Sequence, residues 1–270
     1  MIQIQKAVLV VAHPDDEILW FSSILDHCKS VLVCFGASAT SKQSWDSGRA
    51  VLMETYPLAK VRFLKVSQSD AFDAANWNQP KEADSGLQLR RRRRRTRSLY
   101  RINAQKLLRI LEVELKHESL VFTHNPWGEY GHEEHVQVFR VLMELKEKLG
   151  FDLFVNSYVS HRSVNLMSRC MHSLGGNPLV RETDRMLAHR LKNLYVENDC
   201  WTWIADYEWP EHESFYRVIR PSEGIELRTS ASFPLNYITF DFNESVVTKI
   251  ARKALPASAR SRIKRAFKFG

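Results

Sequence analysis

At 270 residues, 44% of them hydrophobic, the chain holds enough apolar material for one sizeable domain with a smaller appendage. Its longest wholly apolar stretch, Ala7 to Ala12, is far short of the ~20 residues a membrane-spanning helix needs, which excludes a transmembrane reading. The formal net charge of +8 is carried by two basic stretches, outside which the chain is net acidic, so the basicity does not belong to the folded body.

The opening "MIQIQK" lacks the charged-then-apolar order of a secretory signal, and a cytoplasmic location is expected. "AVLVVA" (7–12) is a strand buried on both faces. Directly behind it stands "HPDDE" (13–17), whose ionisable groups are costly to desolvate unless something there needs them. A helix over 17–28, a strand at "VLVCFG" (31–36), a helix over 46–58 and a strand at "VRFLKV" (61–66) follow. Residues 68–97 read as a long, polar, mobile loop ending in seven arginines between Arg90 and Arg97. A solvated loop is the commoner meaning of such a run, and no aromatic residue is interleaved with it for base stacking.

The next helix, over 98–117, sets Leu107, Leu108, Leu111 and Leu115 on one core-facing side. A strand at "SLVFTH" (119–124), a polar turn, a helix over 133–149 and a strand at "LFVNSYV" (153–159) complete a βα alternation. Beyond residue 160 the pattern weakens to a helix over 181–196, the aromatic-rich "CWTWIADYEWPEHESFYRVIR" and a strand-like "YITFDF". From Lys249 to the end the chain carries eight lysines or arginines and no acid, and Pro256 argues against one unbroken helix. Cys28, Cys34, Cys170 and Cys200 are scattered, as reduced thiols are. The expected fold is α/β, a Rossmann-like three-layer α/β/α arrangement with a mainly parallel sheet plus a smaller C-terminal α+β portion. Residues 1–160 make the core, 161–248 complete the substrate cleft within the same domain, and 249–270 form a basic tail.

Ligands of open α/β sheets bind outside the carboxyl ends of the strands. That rule brings "HPDDE" and "HNPWGEYGHEEH" (124–135) to one crevice. His13, Asp16 and His135 supply the three N and O ligands of a catalytic zinc with a fourth position open for water, whose pKa the metal lowers to ~7. Asp15, beside the ligands, is placed to act as general base, and His132 to face a developing oxyanion. "HEEH" is not the zincin pattern HExxH, and an isolated HxxH or DDE more often caps a helix. It is the joint occurrence at two strand ends that favours a metal.

"AHPDDE" after the first strand and "GHEEHVQV" after a later one resemble the LmbE-like or PIG-L family of zinc-dependent N-acetylglucosaminyl deacetylases, over roughly residues 5 to 160. The resemblance implies His13, Asp16 and His135 as ligands of Zn2+ or another divalent ion, Asp15 as base and His132 as oxyanion stabiliser. It implies Tyr130 as a mobile residue gating the site or assisting the oxyanion. Glu134 stands where many members have an aspartate that orients His132 and raises its pKa, and the extra methylene is a departure from the family. Arg49 is a candidate sugar contact, against an exposed helical arginine as the simpler reading; the family's Arg and Glu three apart and its Leu-Gly are missing here. Trp201, Trp203 and Trp209 are candidates for stacking on a sugar, with core packing the commoner role.

The implied activity is removal of the N-acetyl group from an N-acetylated amino sugar in a glycoconjugate, lipid-linked or anionic glycans included. Two other classes stay open: an amidase on another sugar-linked amide, and a basic nucleic-acid or membrane-surface binder with a degenerate metal site. Nucleic acid is the disfavoured partner. The basic tail, with Ile263 and Phe267 at helical spacing, is a candidate for peripheral contact with the inner face of a membrane.

Overall fold

The computed structural model describes residues 2–38, 43–90, 94–175, 177–219 and 233–239; the arginines at 91–93 and the basic stretch 249–270 lie outside the described residues. β-branched residues buried on both faces make β1 (Val8–Val11). The chain then passes through α1 (Asp16–Leu19), α2 (Ser22–Leu25), β2 (Ser30–Ser38), α3 (Asp46–Thr55) and β3 (Val61–Gln68). A short hairpin, β4 (Glu82–Ala83) and β5 (Gly86–Leu87), precedes α4 (Arg94–Glu114), β6 (Leu120–Thr123), α5 (Glu133–Leu149) and β7 (Asp152–Asn156). Then come β8 (Tyr158–Ser160), α6 (Val164–Cys170), β9 (Leu179–Glu182), α7 (Arg185–Glu197), β10 (His212–Arg217) and β11 (Asn236–Ile238).

Among the described residues, seven strands form one sheet in the order β3-β2-β1-β6-β7-β10-β9. β1 is parallel to both β2 and β6, β3 is parallel to β2, and β7 is parallel to β6; β10 runs antiparallel to β7 and β9. The chain winds outward from β1 to β3 and returns to the other side of β1, so the topological switch falls between β1 and β6. α5 lies on β1 and β7 and pairs with α4, while α7 gathers α1, α2 and α3. The result is a three-layer α/β/α fold. No helix among the described residues is long and apolar enough to cross a membrane.

Three local expectations are corrected. The helix expected over 17–28 is two short pieces, because the chain breaks at Trp20 and Phe21. There the buried carboxylate of Glu213 accepts hydrogen bonds from the Ser23 N–H at 2.9 Å and from the hydroxyls of Ser22 and Ser23, which restarts the helix at Ser22. Residues 69–90 are no solvated mobile loop: Ala71, Ala74, Ala75, Trp77, Leu87 and Leu89 are in the main core. Their small, interrupted apolar residues are masked in the sequence by the charged ones between them. The smaller C-terminal α+β portion joins its strands β10 and β9 to the main sheet. β9 occupies the first positions of the helix expected over 181–196, and α7 starts at Arg185, where the Asp184 side chain accepts from the Leu187 N–H at 2.9 Å.

α3 and α7 meet so closely that a Cβ on Gly48 would lie 1.7 Å from the carbonyl oxygen of Asn198. This approach brings Arg49 and the segment after α7 to the switch point. Gly48→Ala is expected to cost about 1–3 kcal/mol by forcing the helices apart. Denaturant unfolding checks it, and an unchanged midpoint would show that the contact yields freely.

Candidate metal centre

The pairing of Val10 with Thr123 sends the next residues of both strands out of the sheet side by side. The Thr123 hydroxyl donates to the Val10 carbonyl at 2.8 Å, and the Ala12 N–H donates to His124 Nε2 at 2.8 Å. After His13 the chain turns sharply: the His13 N–H donates to Asp16 Oδ2 at 2.6 Å, and Asp15 takes a φ of 99°. That left-handed conformation is a strained one for a residue with a Cβ. Across the gap, Gly128 and Gly131 with positive φ bend the chain into α5, which carries His135 in its first turn.

His13 Nδ1, Asp16 Oδ2 and His135 Nε2 converge with all three mutual distances at 3.3 Å. Ligands ~2.0–2.2 Å from a tetrahedral ion stand roughly 3.3–3.6 Å apart, so the triangle has the right size for one. The outward atom of each group is occupied by protein. His13 Nε2 donates to Glu134 Oε2 at 2.9 Å, His135 Nδ1 donates to Glu129 Oε2 at 2.6 Å, and Trp20 Nε1 donates to Asp16 Oδ1 at 2.9 Å. Because carboxylates only accept, these bonds place the ring protons on the outward nitrogens and the lone pairs on the converging ones. Three buried lone pairs facing one another repel unless positive charge lies among them. A proton on His13 Nδ1 can take that place: burial opposes the charge, but the hydrogen bonds to Asp16 and Glu134 carry the His13 pKa up to about 9. Burial likewise opposes ionisation of Asp16, yet His135 and His124 hold it well below the usual carboxylate range.

The surrounding shell is mostly residues that sequence reasoning passed over. Glu129 is fully buried, and its Oε1 accepts from the Asn125 N–H at 3.1 Å and from Asn156 Nδ2 at 2.6 Å. Burial works against its charge, but His124 and His135 bring its pKa down to about 2. His124 also groups with Asp16 and His135, but its Nε2 lone pair is committed to the Ala12 N–H. Ser69, in the segment expected to be loop, donates from both N–H (2.7 Å) and hydroxyl (2.6 Å) to Glu134 Oε1.

Asp15 is held apart from the triangle. Its Oδ2 accepts from the Thr202 hydroxyl at 2.7 Å and lies 3.7 Å from Arg49 Nη2. Its N–H is shared by Glu17 Oε2 at 3.0 Å and the Tyr195 hydroxyl at 2.9 Å, which secures the strained turn. Burial pushes the Asp15 carboxyl up to about 6 against the pull of Arg49, the range of a base still ionised at neutrality.

His132 caps α5: its Nδ1 accepts the Glu134 N–H at 3.1 Å, so the neutral ring presents an Nε2–H donor. Two expectations change here. The Glu134 carboxylate does not orient His132; it reaches His13 and Ser69, the longer side chain passing the nearer histidine. Nor is His132 driven toward protonation, since burial and its neighbours His135 and His13 push its pKa well below the ordinary value. Arg49 is not an exposed helical arginine either: it is buried, 3.2 Å from the Thr202 hydroxyl and 3.4 Å from the Pro14 carbonyl. Tyr130 stands edge-on to His135 with ring centres 5.5 Å apart.

No protein-family model matches the chain, and no curated protein does. Solved structures do. The zinc-inhibited form of teicoplanin deacetylase Orf2 matches with a TM-score of 0.52 at 11% identity, over 79% of this chain and 98% of that one. A deacetylase–teicoplanin complex from the teicoplanin biosynthesis pathway matches at 0.48 and 13% identity, over 81% and 100% of the two chains. The A40926 pseudoaglycone deacetylase Dbv21 matches at 0.44 and 13%, over 80% and 98%. At such identities the likeness is one of fold, and the first of the three carries it.

Proposed function

We propose that the chain is a metal-dependent hydrolase that removes the N-acetyl group from an N-acetylated amino sugar of the N-acetylglucosamine type in a glycoconjugate. The observation that carries this reading is the convergence of His13 Nδ1, Asp16 Oδ2 and His135 Nε2 with every outward atom engaged by protein. Two imidazoles and one carboxylate suit zinc, and other divalent ions compete through supply and geometry. A fold shared with a deacetylase solved in a zinc-inhibited form supports the same direction.

When bound there, the cation supplies a Lewis acid and a water acidified to near neutrality. Asp15, its carboxylate oriented by Thr202, takes the proton of the attacking water. The Nε2–H of neutral His132 donates to the oxyanion as the tetrahedral centre forms, so no imidazolium is needed for that task. Asp15 then returns its proton to the departing nitrogen; the C–N bond breaks, and acetate and a free amino sugar leave. Tyr130, beside His135 and His132, closes the same side of the site.

Elemental analysis of the purified chain together with acetate release from N-acetylglucosamine-bearing glycoconjugates tests the reading. It fails if the metal-loaded chain releases no acetate from any of them. Glu129→Gln keeps the size of the side chain but removes the charge that His135 leans on. A 10- to 100-fold loss of metal affinity, read by chelator competition, is therefore expected. An unchanged affinity would leave Glu129 with no part beyond filling space.

A further inference from the structure

Resting on the reading above, we infer that Trp203 and Tyr130 form the platform on which the apolar face of the substrate's sugar ring stacks. Three tryptophans lie in the segment after α7, and the structure separates them. Trp209 is buried, with its Nε1 donating to the Ile18 carbonyl at 2.6 Å. Trp201 donates to the Ile204 carbonyl at 3.1 Å and faces Lys192. Trp203 alone of the three reaches the metal centre's aromatic wall. Its ring centre is 4.6 Å from that of Tyr130 and 5.2 Å from that of Trp20, whose Nε1 holds Asp16.

Two features make this pair a recognition surface. Both residues are half-buried, so neither is sealed into the core as Trp209 is. The residue before Trp203 is Thr202, whose hydroxyl binds the Asp15 carboxylate, so the position of the platform is tied to that of the base. In an N-acetylated amino sugar the amide carbon is two bonds from the ring, and ordinary C–N lengths put the ring centre roughly 4 Å away. For a carbonyl held beside His13 and His135, that length brings the sugar ring within reach of Tyr130, 5.5 Å from His135 between ring centres, with Trp203 adjoining it. The C–H face of a pyranose is apolar and flat enough to lie on an aromatic ring.

Saturation-transfer NMR with free N-acetylglucosamine on the full chain is the direct test. Irradiating the aromatic protons is expected to saturate the sugar's ring protons in the parent. In Trp203→Ala that transfer is lost while the acetyl methyl signal persists, and Trp203→Phe restores part of it. In steady-state kinetics Trp203→Ala is expected to raise KM roughly 3- to 10-fold, with the loss on KM rather than kcat. Equal ring-proton transfer in parent and Trp203→Ala, or an unaltered KM, overturns the platform and leaves deacetylation standing. Ring stacking without any acetate release upholds the platform and sinks the deacetylase reading, and absence of both sinks the two together.

Discussion

Asp15→Asn is expected to keep its metal and its fold and to lose turnover by roughly 10²- to 10⁴-fold. The substitution is nearly isosteric, and asparagine tolerates the left-handed region better than most residues, so the φ of 99° is no obstacle. The amide oxygen still accepts from the Thr202 hydroxyl, and the backbone N–H still meets Glu17 and Tyr195. What disappears is the carboxylate proposed to take a proton from water and return it. Metal analysis and initial rates on the same preparation settle the matter; a rate within tenfold of the parent would move the base elsewhere.

His13→Ala is expected to do the opposite, removing the metal before it touches chemistry. It deletes one corner of the 3.3 Å triangle. The affinity should fall by more than the roughly hundredfold that loss of a supporting contact costs. Glu134 keeps its two bonds from Ser69 when His13 is gone, so its carboxylate stays held and the change falls on the triangle. Calorimetric titration of the chelated chain, with a thermal melt in chelator, separates lost binding from lost stability. Parent-like affinity would remove His13 from the ligand set.

The two halves of the triangle were readable from the chain because each stands directly behind a β-branched strand, where polar residues have no structural excuse. The winding of βα units then puts the first and fourth of those strands side by side. What surrounds the triangle was not readable. Glu129 looks like an ordinary turn residue in "GEYG" until Asn125, Asn156 and His135 are seen to share it. Glu134 reads as the partner of its near neighbour His132, whereas its carboxylate crosses to His13, 121 positions away. Ser69 and Thr202 carry no pattern at all; each acts through one hydroxyl delivered by tertiary packing. Arg49 reads as surface because the helix it sits on is mostly exposed, and only the close approach of α7 at Gly48 buries it.

The hydrogen bond from Ala12 to His124 spans 112 positions of chain, and it has a consequence for how the protein comes into being. A growing polypeptide that has made β1, β2 and β3 already holds His13 and Asp16 but offers a cation only two side chains. On the proposed ligand set the third arrives only when β6 docks against β1, a closure that must bridge 112 positions of chain. Capture of a cation by that set would therefore wait on this closure, and a chain released before β6 would circulate with an incomplete grip.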